Sequence, residues 1–243
     1  MEHRGSSAYE EQEFFDTFTK RRMRPESPNN AIEKPAIMEL LPKIKGSKVL
    51  DLGCGDGLFG KELLELGTYY YKGIDGSEKM AQQANINLQG LPTSIVCQNL
   101  DEVEFESNQY NVITSRLVFH YLPNIQPLFE KVYTSLVPGG HFVFSVQHPV
   151  ITSYMSHHSG KEKRGHWLVD HYFRSGERVE SWMEHSVVKY HRTIEEYLST
   201  ALYCGFTIKG IKEGKPDQKF FSNEEEYQRR QRIPLFLILS LQK

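Results

Sequence analysis

VLDLGCGDGLFGKEL, residues 49–63, sets a carboxylate, Asp51, inside an apolar run and follows it with glycines at 53, 55 and 57. The run Lys48–Leu52 reads as a buried strand, and the amphipathic stretch from Leu58 to Glu65 as a helix. A strand that enters a glycine-rich loop and then a helix is a binding device. The glycines let a ligand approach the backbone, and the helix start offers unpaired N–H groups. Gly55, Gly57 and Gly60 spell G-x-G-x-x-G, the dinucleotide fingerprint, which alone is weak evidence. The register separates the alternatives. The apolar run stops at Leu52, so the loop reads G-x-G-x-G directly after the strand, and a dinucleotide reading leaves Gly53-Cys54 as an unexplained insertion. A buried carboxylate must be paired or hydrogen-bonded. Asp51 therefore either braces the loop or meets a cationic group on the ligand.

Outward from this stretch the chain alternates short apolar runs with amphipathic segments, the βαβ signature. Further strands are expected over Tyr70–Ile74, Ser94–Cys97, Tyr110–Thr114 and His141–Val146. A helix is expected from Ser77, and another over Pro127–Ser135. The runs are too apolar to have one wet face, so a parallel sheet covered by helices on both sides follows. Asp75, 20 residues beyond Gly55, ends the second strand, where a carboxylate takes ribose hydroxyls. Thr193 and Glu196 make a capping box for a helix that stops at Gly205. Strands over Phe206–Ile211 and Leu235–Leu241 flank a loop and a short charged helix opened by Ser222 and Glu225, so these last two strands read as an antiparallel pair. The run EEEYQRRQR is a solvated helix face.

Two regions fall outside the alternation. Residues 1–42 form a segment of their own, with helices expected over Glu10–Lys20 and Ile32–Leu41, and residues 43–243 the domain proper. Residues 147–192 hold seven of the ten histidines and both tryptophans. WLVDHYF and RVESWMEHSVVKY read there as two strands around a turn containing Gly176, a β-ribbon inserted after the fifth strand.

With 243 residues, 39% hydrophobic and 25% charged, the composition is that of an ordinary globular protein. A net charge of −2 argues against a broad polyanion-binding surface. Three scattered cysteines without C-x-x-C spacing fit a reducing compartment. The polar start has no signal-like apolar region, and the longest apolar run, Leu235–Leu239, is too short to span a bilayer. A cytoplasmic protein with no membrane segment is the expectation.

VLDLGCGDG, YKGIDGSEKM, NLDEVEF, SRLVFHYLPN and LVPGGHFVFSVQHP together resemble the class I, Rossmann-like S-adenosylmethionine-dependent methyltransferases of the bacterial small-molecule type, over roughly residues 35–243. The resemblance implies a doubly wound, mostly parallel seven-stranded α/β sheet in the order 3-2-1-4-5-7-6 with strand seven antiparallel. It implies S-adenosylmethionine as cofactor, with S-adenosylhomocysteine as product, and gives Asp51 a ligand that bears an ammonium group. It places Asp51, Gly53, Cys54, Gly55 and Gly57 in the cofactor loop, and Asp75 and Gly76 at the ribose. Met80, Asn99 and Leu100 fall at the adenine and Ser115 in the segment after strand four. Many members carry Asp where this chain has Asn99; an amide oxygen still accepts from the adenine amino group.

The expected reaction is in-line methyl transfer to a small-molecule acceptor, in which the enzyme mainly positions the partners and excludes water. A base is needed only where the nucleophile carries a proton of high pKa. His148, after strand five, and His120, after strand four, are the candidate catalytic residues, with packing or hydrogen bonding as the plainer role for each. Residues 1–42 are read as a lid, with Arg22 as a candidate partner for the cofactor's carboxylate. The insertion is read as the acceptor wall, or alternatively as a ribbon joining two copies in a homodimer. His166 and His171, five apart, and the adjacent His157 and His158 do not have strong ligand spacing, so no metal is expected. An RNA-modifying enzyme, with Trp167, Arg174, Arg178 and Trp182 stacking bases, and a non-catalytic cofactor-binding protein are the alternative functions.

Overall fold

The computed structural model describes residues 2–154, 166–183 and 185–243. The chain begins with a short strand β1 (Glu2–His3), a 3-10 turn at Ser7–Glu10 and helix α1 (Gln12–Arg22). A π turn over Asn29–Glu33 runs straight into α2 (Lys34–Leu40). Then follow β2 (Lys48–Leu52), α3 (Leu58–Glu65), β3 (Tyr70–Asp75), α4 (Glu78–Asn87), β4 (Thr93–Cys97) and β5 (Tyr110–Arg116). After a 3-10 turn at Phe119–Tyr121 come α5 (Gln126–Ser135), β6 (Leu136–Gln147) and the single turn α6 (Pro149–Thr152). The ribbon strands are β7 (Gly176–Trp182) and β8 (His185–His191), and the chain closes with α7 (Ile194–Tyr203), β9 (Thr207–Lys212), α8 (Glu224–Arg230) and β10 (Phe236–Gln242).

Seven strands form one sheet in the order β4-β3-β2-β5-β6-β10-β9. Only β10 runs against its neighbours, antiparallel to both β6 and β9. This is the order and polarity that the sequence leads one to expect. The connections reverse direction between β2 and β5, and an α/β sheet opens its ligand crevice at the carboxyl ends of such strands. Alternation along β2 feeds two cores. Leu50 and Leu52 join Phe129, Phe142 and Phe144 on one face. Val49 joins Phe59, Tyr71 and Ile238 on the other. No helix among the described residues is long and apolar enough to cross a membrane.

Gly60 explains the third glycine of the opening stretch. A Cβ there would lie 2.3 Å from the ring of Tyr71, so its absence lets α3 seat on β3. That is helix–strand packing, with no ligand involved.

The first part of the N-terminal segment packs with the ribbon, while the π turn and α2 join the core of the main sheet. β1 pairs parallel with β8, Glu2 opposite Ser186 and His3 opposite Val187. β8 pairs antiparallel with β7 along its whole length, from Gly176–His191 to Trp182–His185. Ala8, Phe14 and Val187 bury together as a separate small core, with Tyr9, Phe18, Tyr121 and Trp182 packed on it. Trp182 meets Phe14 edge to face at 5.2 Å and Phe18 at 5.8 Å. The N-terminal segment and the ribbon thus share their apolar surface, which neither has enough of alone.

Three local expectations need correction. The ribbon turns at Met183, where φ is +51°, and Gly176 begins the first strand; residues 167–173 are not a strand. Period-two alternation runs through GERVESW and HSVVKYH, whereas WLVDHYF pairs with no strand among the described residues. The cap of α8 is Asn223, which accepts from the Glu226 N–H. Ser222 is drawn off by Glu26, which accepts from both its N–H and its hydroxyl. The second N-terminal helix is α-helical only from Lys34, and Ile32 belongs to the π turn over Asn29–Glu33 that runs into it. The Thr193–Glu196 capping box is present in both directions.

Candidate active site

A cavity of about 870 Å³ lies over the carboxyl ends of β2, β3 and β5, floored by the glycine loop and roofed by the N-terminal segment and the ribbon. Of the sequence-predicted residues, Arg22, Gly53, Gly55, Asp75, Gly76, Met80, Asn99, Leu100 and His120 all line it. Asp51, Cys54, Gly57, Ser115 and His148 do not.

Asp75 ends β3 with its carboxylate held at both oxygens. Oδ2 accepts the Gly55 N–H at 2.8 Å and Oδ1 the Ser77 N–H at 2.9 Å. The side chain is buried, and burial pushes its pKa above the ordinary value against the pull of these two bonds. Each oxygen keeps a lone pair free, so the group can still accept from a vicinal diol. Ser77 then caps α4 by accepting the Met80 N–H, which sets Met80 against the cavity floor.

Gly53 sits at φ +75°, and a Cβ there would come 2.2 Å from Val118. The loop is therefore closed to any side chain at the point where it meets the segment after β5. Arg22 reaches over the loop from α1, its guanidinium 3.8 Å from where a Gly55 Cβ would stand. The roof is fastened on this side as well. Glu10 accepts the Glu78 N–H at the start of α4 at 2.8 Å, and Lys79 donates to Gln12.

The residues that miss the cavity have structural occupations. Asp51 faces the second core, where it accepts from the Tyr71 hydroxyl at 2.8 Å and from Thr114 at 2.9 Å. Burial raises its pKa, and those two hydroxyls oppose the rise. The carboxylate braces β2 against β3 and β5 behind the loop. Ser115 donates to the Leu52 carbonyl at 2.7 Å, tying β5 to β2. Cys54 is buried under the loop. Gly57 caps α3 in the left-handed region. His148 caps α6 through Nδ1, which accepts the Val150 N–H, and its Nε2 meets Glu213 at 3.1 Å.

His120 is buried in the 3-10 turn after β5, and its Nδ1 accepts the Gln147 N–H at 3.4 Å. Burial holds its pKa well below the ordinary value, helped by the charges of Lys189 and Arg192. The ring is neutral near pH 7, and with Nδ1 engaged as acceptor its proton resides on Nε2. His120 presents a hydrogen-bond donor at that nitrogen. Lys189 is buried beside it, donating to Glu180 at 2.6 Å and Gln147 at 3.1 Å, with its ammonium 5.4 Å from the Trp182 ring.

One part of the site, an ion pair, is only half announced by the sequence. Arg116, at the end of β5, lines the cavity and pairs with Glu33, whose side chain is fully buried. The guanidinium lies 4.5 Å over the Phe59 ring, and Ser145 donates to the same carboxylate at 2.7 Å. Leu117, next in the chain, is held at φ +62° by N–H bonds to the Ser145 carbonyl and hydroxyl. A charged residue ending an apolar strand is a signal that a buried partner exists. Nothing in NNAIEKPAIMEL marks Glu33 as that partner.

Residues 50–144 match a family model described as a methyltransferase domain. A putative S-adenosylmethionine-dependent methyltransferase from Listeria monocytogenes is 33% identical and superposes with a TM-score of 0.78 over 87% of this chain and 96% of that one. An S-adenosylmethionine-dependent methyltransferase from Mesorhizobium loti is 30% identical, with a TM-score of 0.80 over 92% of this chain and 100% of that one. An uncharacterized protein of Haemophilus influenzae is 32% identical over 229 residues, 90% of each chain.

Proposed function

We propose that this chain, which belongs to the class I S-adenosylmethionine-dependent methyltransferases, methylates a small-molecule acceptor enclosed between the glycine loop and the roof formed by residues 2–24 and the ribbon. The observation that carries this reading is the cavity itself. Its volume of about 870 Å³ is at the upper part of the range of small-molecule sites, about 300–1,000 Å³, and the cofactor loop floors only one side of it. Its other walls include Tyr9, Phe18, Tyr121, Trp182 and Tyr190, aromatic rings with polar tips suited to a small organic acceptor, beside charged side chains such as Arg4, Arg21 and Arg116.

When bound, S-adenosylmethionine supplies a methyl group on a positively charged sulfur. The residues present fit it. Asp75, with one free lone pair on each oxygen, accepts the two ribose hydroxyls. Gly53 and Gly55 leave the loop backbone open to close approach. Asn99, Leu100 and Met80 line the same cavity and would hold the adenine, and Arg22 would offer a guanidinium to the carboxylate. The roof excludes water and holds the acceptor in line, which is most of what a displacement at a sulfonium asks of a protein. His120 orients the acceptor by donating from Nε2. A ring with its lone pair already engaged is not placed to take a proton, so the nucleophile arrives as an amine, a carboxylate or another group that needs no base at His120.

The test is a mass-spectrometric screen of the purified chain with isotopically labelled donor and a metabolite extract, beside a tRNA control. Label in one or a few small molecules supports the reading. Label in tRNA alone, or in neither with donor bound, overturns it.

A further inference from the structure

Glu11 stands between two histidines from opposite ends of the sequence. Its Oε1 lies 3.2 Å from His3 Nε2, and its Oε2 lies 3.3 Å from His185 Nδ1. One ligand atom from each of the three lies within 4.8 Å of the other two. No other group of this kind occurs among the described residues. His3 is only 5% exposed, and the two imidazoles meet edge to face at 5.4 Å. His185 is wedged in turn against Phe14 at 5.3 Å.

The separations are informative. A charge-assisted N–H···O bond closes to about 2.7–2.9 Å. The two approaches here, each to a different oxygen of Glu11, are longer than that. Ligand atoms held about 2.0–2.1 Å from a tetrahedral ion stand about 3.3–3.4 Å apart, and one atom from each of these three residues already lies within 4.8 Å of the other two, so a small side-chain adjustment brings all three onto one ion. Two imidazoles and a carboxylate form a donor set for zinc and its neighbours, cobalt and nickel. Sequence spacing cannot show it, because the ligands sit at positions 3, 11 and 185.

We propose that His3, Glu11 and His185 bind one zinc-class divalent ion, water completing its shell, and that the ion clasps β1 and the start of α1 to β8. None of the three lines the cavity, so the ion is structural and takes no part in methyl transfer. The clasp does not depend on the identity of the acceptor.

The experiment uses the full chain, freed of metal with a chelator and titrated with Co(II). Expected are one ion per chain, visible d–d absorption and displacement by Zn(II). Glu11→Gln and His185→Gln should each weaken binding at least tenfold, with melting temperatures in chelator within a few degrees of the parent. A His157→Gln/His158→Gln variant should bind as the parent does. Zn(II) should also slow tryptic cleavage within residues 2–24 at least tenfold in the parent, and not in the two ligand variants. Absence of cobalt absorption, binding that survives both ligand variants, or binding lost with His157 and His158 overturns the site. Cleavage unaffected by bound zinc overturns the clasp.

Discussion

Asp75→Asn separates the part of Asp75 that serves the ligand from the part that serves the fold. The carboxylate accepts two backbone N–H bonds, from Gly55 at 2.8 Å and Ser77 at 2.9 Å, while only 8% exposed. Asparagine keeps the shape and one acceptor oxygen but loses the charge. A hydrogen bond to a charged group contributes about 1.5–3 kcal/mol. Losing one such bond to the ribose should raise the Kd for S-adenosylhomocysteine by about 10- to 150-fold at 1.36 kcal/mol per decade. The free protein should respond differently. Burial raises the pKa of Asp75 above its unfolded value. A raised acid stabilises the folded state fully below the unfolded pKa and loses that contribution as pH rises through the folded pKa. At pH 7 burial of the ionised group offsets part of what its two N–H bonds contribute, so the Asn variant, which forfeits one of those bonds, should lose much less in melting temperature than in affinity. Affinity has the opposite pH dependence, because the ribose is accepted by the carboxylate. On acidification toward the raised pKa the parent should lose S-adenosylhomocysteine affinity, and the variant should lack that slope. Isothermal titration at a series of pH values, paired with thermal melts, measures both. A variant that binds within threefold of the parent, or keeps the slope, would show that the ribose is held elsewhere.

Three further outcomes follow from the site. Glu33→Gln leaves the buried Arg116 without its counter-charge, so urea unfolding should show a loss of about 3–5 kcal/mol; a loss under about 1 kcal/mol contradicts the pairing. Once an acceptor is known, His120→Asn should lower kcat at least tenfold with S-adenosylhomocysteine affinity within threefold, whereas His148→Ala should leave kcat within threefold; the reverse pattern would return the chemistry to His148. Deleting residues 1–24 should weaken donor binding at least tenfold, since Arg22 and the roof over the loop go with them, and should raise hydrogen exchange in β7 and β8 but not in β2 and β5. Unchanged affinity in the truncated chain would remove the N-terminal segment from the site.

The central sheet was legible because its inner strands are apolar on both faces and the helices between them amphipathic, so period and length separate them. The loop was legible for a related reason: Gly53 and Asp75 are demanded by local geometry, a left-handed φ and a strand end. Asp51 shows where that reasoning runs out. A buried carboxylate needs partners, and the sequence raises the need without saying whether a ligand or Tyr71 and Thr114 supply them. The roof was readable only in halves. Residues 2–24 and the ribbon each carry aromatics without a closed pattern, and what unites them is a pairing between positions 3 and 187 that no local period encodes. The Arg116–Glu33 pair and the His3–Glu11–His185 group belong to the same class, long-range partners joined by the fold.

The pairing of β1 with β8 also orders events at the ribosome. Glu2 and His3 leave the exit tunnel long before Ser186 and Val187 exist. At about 5–20 residues per second, the delay is on the order of ten to forty seconds. During it Phe14 and Phe18 have no Trp182 to pack against, although β2 through β6 are already available to pair among themselves. A nascent chain therefore presents a half-built sheet with a loose, largely polar leader whose aromatic side chains are uncovered. The leader is the region where a holding chaperone would be expected to bind, and it is released only when the ribbon is made.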